Sequence, residues 1–278
     1  MRTASTSDDA FMGRTHALSA VAVMLTLFAF YPQWYLRLSN GDKSIITLLM
    51  FCLVTAGGAL LPDLDNTQST AKSSMGIMGT GISAFMRATS PIIQTVLATP
   101  YDRKNMSDGV DAHRGFYHTF ISGILIGGVF MFLCSSRFHI GILTGDYMAM
   151  LLMFISMDMA ISAIIGSIWK SKTMTDMLVS MGITMLASIF IWQNMDHSNG
   201  YSIIGLALGL GWIIHIIGDM FTTQGVPALF PIPIKGKFWY DIRVLRIKAG
   251  GVIENIVFTP LFIIIIIVCI LRMLGLLI

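Results

Sequence analysis

Short polar motifs interrupt an otherwise apolar chain, and their residue types suit metal chemistry. His16 stands alone. Asp63 and Asp65 follow a proline in Leu-Pro-Asp-Leu-Asp. His113, Arg114 and His118 lie in His-Arg-Gly-Phe-Tyr-His. His215 and Asp219 are four apart in His-Ile-Ile-Gly-Asp, and Glu254 closes Gly-Gly-Val-Ile-Glu. Imidazole mixed with carboxylate favours Zn²⁺, Mn²⁺ or Fe²⁺ over Ca²⁺. Pro62 ends regular helix and lets two carboxylates splay toward one centre. At i and i+4, His215 and Asp219 share one helical face, a spacing that metal-binding helices use. His113 and His118 are too far round a helix to share a face. Gly115 permits a turn between them, which predicts His113 in a loop and His118 on a helix. Taken singly, each motif also has a plainer reading as a helix-end acid, a local hydrogen bond or an interfacial histidine. Together, His16, Asp63, Asp65, His113, His118, His215 and Asp219 exceed the four ligands of a structural zinc. They suit either a dinuclear centre or a single divalent ion whose histidines are oriented by carboxylates behind them. Asp65 or Glu254 is a candidate general base, and Arg114 a candidate for steadying negative charge that develops in a reaction.

The elements that must position these groups follow from composition. Of 278 residues, 55% are apolar and 12% charged. Soluble domains run near about 45–50% and about 25%. So little charge excludes a soluble enzyme, a disordered chain and a secreted disulfide scaffold. It leaves an all-α polytopic membrane helix bundle, since apolar runs of about 20 residues read as spans. About seven spans (six to eight) are expected: 17–36, 44–61, 119–134, 147–169, 174–192, 201–221 and 256–278. Cys52, Cys134 and Cys269 fall inside apolar runs without CxxC spacing and read as buried hydrophobes. A net charge of +3 carries no nucleic-acid signal.

Residues 1–15 form a polar tail, and 16–278 a single integral-membrane domain. Two connections are long, 62–112 and 222–255. The first holds Met78, Ile82, Phe85, Met86, Ile92, Ile93 and Val96 at helical spacing, which predicts an interfacial or re-entrant helix after span two. Prolines 227, 231 and 233 make the start of the second non-helical. Lys and Arg concentrate in the N-terminus and alternate loops, leaving only Arg37, Lys43 and Arg137 in the others. By the positive-inside rule the N-terminus is cytoplasmic, and all five motifs then fall at the cytoplasmic face. Asp158 differs, at about 16 Å depth in span four. It suits a bond to Ser or Thr on a neighbouring helix.

Leu-Pro-Asp-Leu-Asp, His-Arg-Gly-Phe-Tyr-His-Thr, His-Ile-Ile-Gly-Asp-Met-Phe-Thr-Thr-Gln-Gly-Val and Gly-Gly-Val-Ile-Glu occur in this order, and the series resembles the YdjM family. That family is described as membrane-bound, metal-dependent hydrolases and as LexA-binding inner-membrane proteins. The resemblance implies a bacterial inner-membrane location and a site formed by His16, Asp63, Asp65, His113, His118, His215, Asp219 and Glu254. Asn66 stands where the family commonly has His, and the stretch from Asp65 to His113 is longer than the family pattern. The expected function is metal-dependent hydrolysis of a lipid or other small-molecule substrate, with a phosphoester favoured by the site's level with the headgroups. The rivals are a non-catalytic membrane protein with a structural metal and a protein partner, and a transporter. Transport sites lie near the midplane, where only Asp158 falls.

Overall fold

A computed structural model describes residues 13–39, 41–66, 69, 72, 75–104, 113–168, 174–195 and 201–277. Residues 1–12, which hold most of the polar tail, and Lys170 and Lys172, which stand in one of the Lys- and Arg-rich loops, lie outside the described residues. The fold is an all-α bundle. Its helices are α1 (Gly13–Phe30), α2 (Pro32–Leu38), α3 (Ile45–Gly58), α4 (Gly76–Val96), α5 (Pro100–Arg103), α6 (Phe120–Leu133), α7 (Gly145–Ile168), α8 (Met174–Asn194), α9 (Ser202–Met220) and α10 (Thr259–Met273). A two-stranded hairpin, His139–Ile140 with Leu143–Thr144, joins α6 to α7.

Among the described residues, five segments are long and apolar enough to cross a membrane: Gly13–Phe30, Ile45–Asp65, Gly145–Ile164, Ser202–Met220 and Glu254–Met273. Two shorter apolar helices, Phe120–Leu133 and Leu178–Asn194, occupy the third and fifth expected positions. The first span is displaced from the sequence reading. It starts at Gly13, so Arg14 and Thr15 belong to α1 and not to a polar tail. It stops at Phe30 because Pro32 cannot donate a helical hydrogen bond and disfavours helical geometry at Tyr31, whose φ/ψ is −130/54°. The rest of that apolar run becomes the short α2.

Around α3 and α9 the helices meet through small residues. Helix α9 packs on α6 and α3, α1 on α3 and α10, and α3 on α7. Gly211 is the closest approach that matters for function: a Cβ there would lie 2.1 Å from the Thr55 carbonyl oxygen and 2.6 Å from the Ala59 nitrogen. Packing of this kind dominates where lipid removes the hydrophobic drive between helices. Asp158, as anticipated, accepts hydrogen bonds from Thr184 (3.2 Å) and Ser180 (3.4 Å) on α8.

Helix α4 is amphipathic in the reverse of the soluble sense. Its buried face carries Ser83, Met86, Ser90 and Gln94, while Phe85, Ile92 and Val96 are exposed. An apolar face turned outward fits a helix at the membrane interface. Pro91 lies inside this helix without ending it. Residues 222–251, as the prolines predict, contain no helix.

Candidate metal centre

Four chain segments bring the polar motifs together. After α3 the chain tightens into a 3₁₀ turn, Pro62–Asp65, which buries both Asp63 and Asp65. His113 and Arg114 follow in an irregular segment. Arg114 has φ 60°, in the left-handed region that costs a non-glycine residue about 1–3 kcal/mol. His118 ends a second 3₁₀ turn, Phe116–His118, and is not on the following helix as its spacing suggested. Thr119 is the reason: its Oγ1 accepts from the Ser122 nitrogen and caps α6, so α6 begins one residue beyond it. Trp212 Nε1 donates to the Tyr117 carbonyl (2.8 Å) and pins that turn to α9.

His215 shows how backbone packing aims a ligand. The close approach at Gly211 sets α9 against the end of α3, where carbonyls lack helical partners. His215 Nδ1 lies 2.7 Å from the Ala59 carbonyl oxygen. Since a carbonyl only accepts, Nδ1 carries the proton and Nε2 offers its lone pair to the centre. Nε2 then stands 3.4 Å from Asp219 Oδ2 and 3.7 Å from Asp63 Oδ1. His118 Nε2 is 3.5 Å from Asp219 Oδ2, and its Nδ1 is 3.4 Å from Asp65 Oδ2. His16 Nε2 lies 3.5 Å from Asp219 Oδ1, and its ring stacks on His215 at 3.9 Å.

Among the described residues, three groups of donor atoms could each hold an ion: His16, Asp63 and His215; Asp63, His113 and His118; His118, His215 and Asp219. Within each, the atoms lie within 4.8 Å of one another. Asp63, His118 and His215 each belong to two groups, so the three are one continuous cluster. Among the described residues, Asp63 Oδ1, both ring nitrogens of His118, His215 Nε2 and Asp219 Oδ2 are buried without a hydrogen bond. Leaving such atoms unsatisfied costs about 1–3 kcal/mol each. Two donors at about 2.0–2.2 Å from one ion, at roughly tetrahedral angles, stand about 3.4 Å apart. The observed spacings match that figure, so the residues fit a divalent cation.

Asp65 plays a different part. It lies in none of the three groups. Its Oδ1 is 2.5 Å from His113 Nδ1, and its Oδ2 accepts from the Arg114 nitrogen at 3.3 Å. It thus orients His113 from behind, as carboxylates do for metal-binding histidines. Burial alone would lower the His113 imidazole, but the Asp65 carboxylate, with Asp63 beyond it, lifts it above its usual range. Burial, reinforced by His215, holds His118 well below its usual range, so it stays neutral.

Arg114 is buried and faces the centre from the side. Its guanidinium donates to Thr222 Oγ1 (2.8 Å), the Gly225 carbonyl (3.4 Å) and Asp219 Oδ1 (3.3 Å). Glu254 is not brought into the three groups. Its carboxylate accepts from Thr15 Oγ1 and from the Gly250 nitrogen, both at 2.6 Å, tying α1 beside His16 to the turn before α10. The sequence reading did not find Ala59, Thr222, Ser90 or Gln94. Ser90 Oγ accepts from the Phe116 nitrogen, and a Cβ on Gly115 would meet Gln94 Nε2 at 1.8 Å, so α4 backs the His113–His118 segment. Thr222, three residues beyond Asp219, had a usable signal in its spacing. A carbonyl such as that of Ala59 has none.

His118, His215 and Asp219 side chains are fully enclosed, whereas His113 is 23% and Asp63 9% exposed. The cluster therefore meets its surroundings on the His113 side. The family described as YdjM inner membrane protein matches residues 11–276. No curated protein and no solved structure matches the chain.

Proposed function

The chain belongs to the YdjM inner membrane protein family, and from that premise we propose that it is a metal-dependent hydrolase of the inner membrane. The supporting observation is the set of buried His and Asp donor atoms without hydrogen bonds, standing 3.4–3.7 Å apart. His16, Asp63, His113, His118, His215 and Asp219 would hold the metal, Zn²⁺ or Mn²⁺, as one ion or a pair. A bound cation supplies Lewis acidity that brings the pKa of water toward neutrality. Asp65, one imidazole removed, orients His113 and is placed to share its proton. Arg114 faces the centre with a fixed positive charge and would steady an anionic transition state. Glu254 supports His16 through Thr15. A site whose most exposed donor residues are His113 and Asp63, beside an interfacial helix, suits a lipid or phosphoester substrate. The same enclosure also suits a second reading, in which the metal is structural and the protein serves a partner.

The two readings separate on Arg114. Arg114→Ala should keep the metal, because it removes no donor atom, and slow hydrolysis by about 10²–10³-fold, the usual cost of a lost transition-state donor. The assay is turnover of a panel of lipid phosphoesters and amides with added Zn²⁺ or Mn²⁺, beside metal content. Metal binding without turnover on that panel would favour the structural reading.

We also propose that the N-terminus is cytoplasmic, that the polar tail ahead of α1 leads into one integral-membrane domain, and that the cluster faces the cytoplasm. Single cysteines at Lys72 and Lys237 should resist an impermeant thiol reagent in intact cells, and one at Asn199 should react. The opposite pattern reverses the orientation.

A further inference from the structure

The segment after α9 is tied back to the end of that helix and the turn that follows it. Val244 N donates to the Met220 carbonyl (2.7 Å), Ile247 N to that of Phe221 (2.8 Å), and Ile242 N to that of Val226 (2.9 Å). Residues 242–247 are thereby clipped along the last turn of a candidate span. The clipped strip shows a mixed surface. Val244 and Leu245 are 54% and 56% exposed, and exposed Arg243, Arg246 and Lys248 surround them. Arg243 pairs with Asp241 at 3.3 Å. Arg246 and Lys248 make no ion pair among the described residues.

Next to this strip is a hollow of about 480 Å³ lined by Lys248, Ala249, Gly250, Gly251, Val252 and Ile253. Its apolar rim, Val252 and Ile253, runs directly into the candidate span Glu254–Met273, in which only 6% of the residues are buried inside the protein, leaving an apolar surface suited to lipid. A cation at one end, free apolar side chains at the other and continuity with a lipid-facing helix define an amphiphilic ligand with an anionic head. We propose that this hollow binds an anionic phospholipid. The phosphodiester lies against Lys248 and Arg246. The acyl chains follow Val252, Ile253 and α10, and Val244 and Leu245 enter the acyl layer beside them. Basic residues at an anionic leaflet and apolar residues just below it are each favourable, and here one strip holds both. The inference needs only membrane insertion and is independent of hydrolysis.

The test uses the full chain in nanodiscs of phosphatidylcholine with or without phosphatidylglycerol. The native cysteines are buried, so Leu245→Cys can carry a fluorophore. Spin-labelled phosphatidylglycerol should quench it more strongly than spin-labelled phosphatidylcholine. That preference should fall by roughly fivefold for each basic residue removed in Arg246→Gln and Lys248→Gln. Quenching by phosphatidylcholine should persist in both, which shows that the strip still lies in the bilayer. Native mass spectrometry should show phosphatidylglycerol retained by the wild type and lost from the double variant, with inorganic phosphate failing to displace it. Equal quenching by both lipids, or displacement by phosphate, overturns the proposal. Cross-linking between two Leu245→Cys copies regardless of lipid would assign the strip to a second copy of the chain and overturn it too.

Discussion

His215→Ala is expected to strip the metal from the purified protein. His215 belongs to two of the three donor groups, so its loss dismantles both at once. Removing a supporting partner of a metal ligand costs about 10–100-fold in affinity. Removing a shared ligand should exceed about 10²-fold, and any hydrolysis should go with it. The change leaves the apolar run of α9 intact, so the variant should still insert. Metal content by elemental analysis, compared with Arg114→Ala, gives the measurement. A variant that retains wild-type metal would place the ion elsewhere and remove the shared centre.

Gly211→Val is expected to produce the second large effect without touching a donor atom. The new Cβ would sit 2.1 Å from the Thr55 carbonyl oxygen and 2.6 Å from the Ala59 nitrogen. Both neighbours are backbone and cannot swing away. Helix α9 must therefore move off α3, at about 3 kcal/mol or more, the upper range for overpacking. That movement pulls His215 Nδ1 from the Ala59 carbonyl and frees the ring. The variant should lose thermal stability and metal affinity together, whereas His215→Ala should lose affinity at a smaller cost in melting temperature, set by the lost ring packing and the bond to the Ala59 carbonyl, when both are compared as metal-free proteins. Unchanged melting of Gly211→Val would show that the α3–α9 contact is looser than the geometry indicates.

The sequence made the bundle readable because lipid imposes a simple rule: apolar runs become helices. It made the cluster readable because His and Asp are scarce in such runs and recur at one end of them. Three features were not readable. The end of α1 shifted because a single proline outweighs the hydropathy of the residues around it. His118 fell in a tight turn because Thr119 takes the capping position, a competition that spacing between histidines does not reveal. The division of labour between carboxylates was hidden as well. Asp63 and Asp65 look alike in Pro-Asp-Leu-Asp, yet a 3₁₀ turn sends Asp63 into the donor groups and sets Asp65 behind His113. Glu254 likewise shares the chemistry of a ligand, but Thr15 and Gly250 engage it outside those groups.

The outward apolar face of α4 makes the bilayer a mechanical part of the centre. In water, burial would draw Phe85, Ile92 and Val96 inward and turn Ser90 and Gln94 out. In acyl chains the sense reverses: Phe85, Ile92 and Val96 are at ease facing outward, and Ser90 and Gln94 stay against the segment that carries His113 and His118. The backing of those two histidines then depends on an apolar surround. Its strength is a property of the surrounding lipid film, so thin or short-chain detergent micelles should slacken it while every covalent and helical feature stays intact.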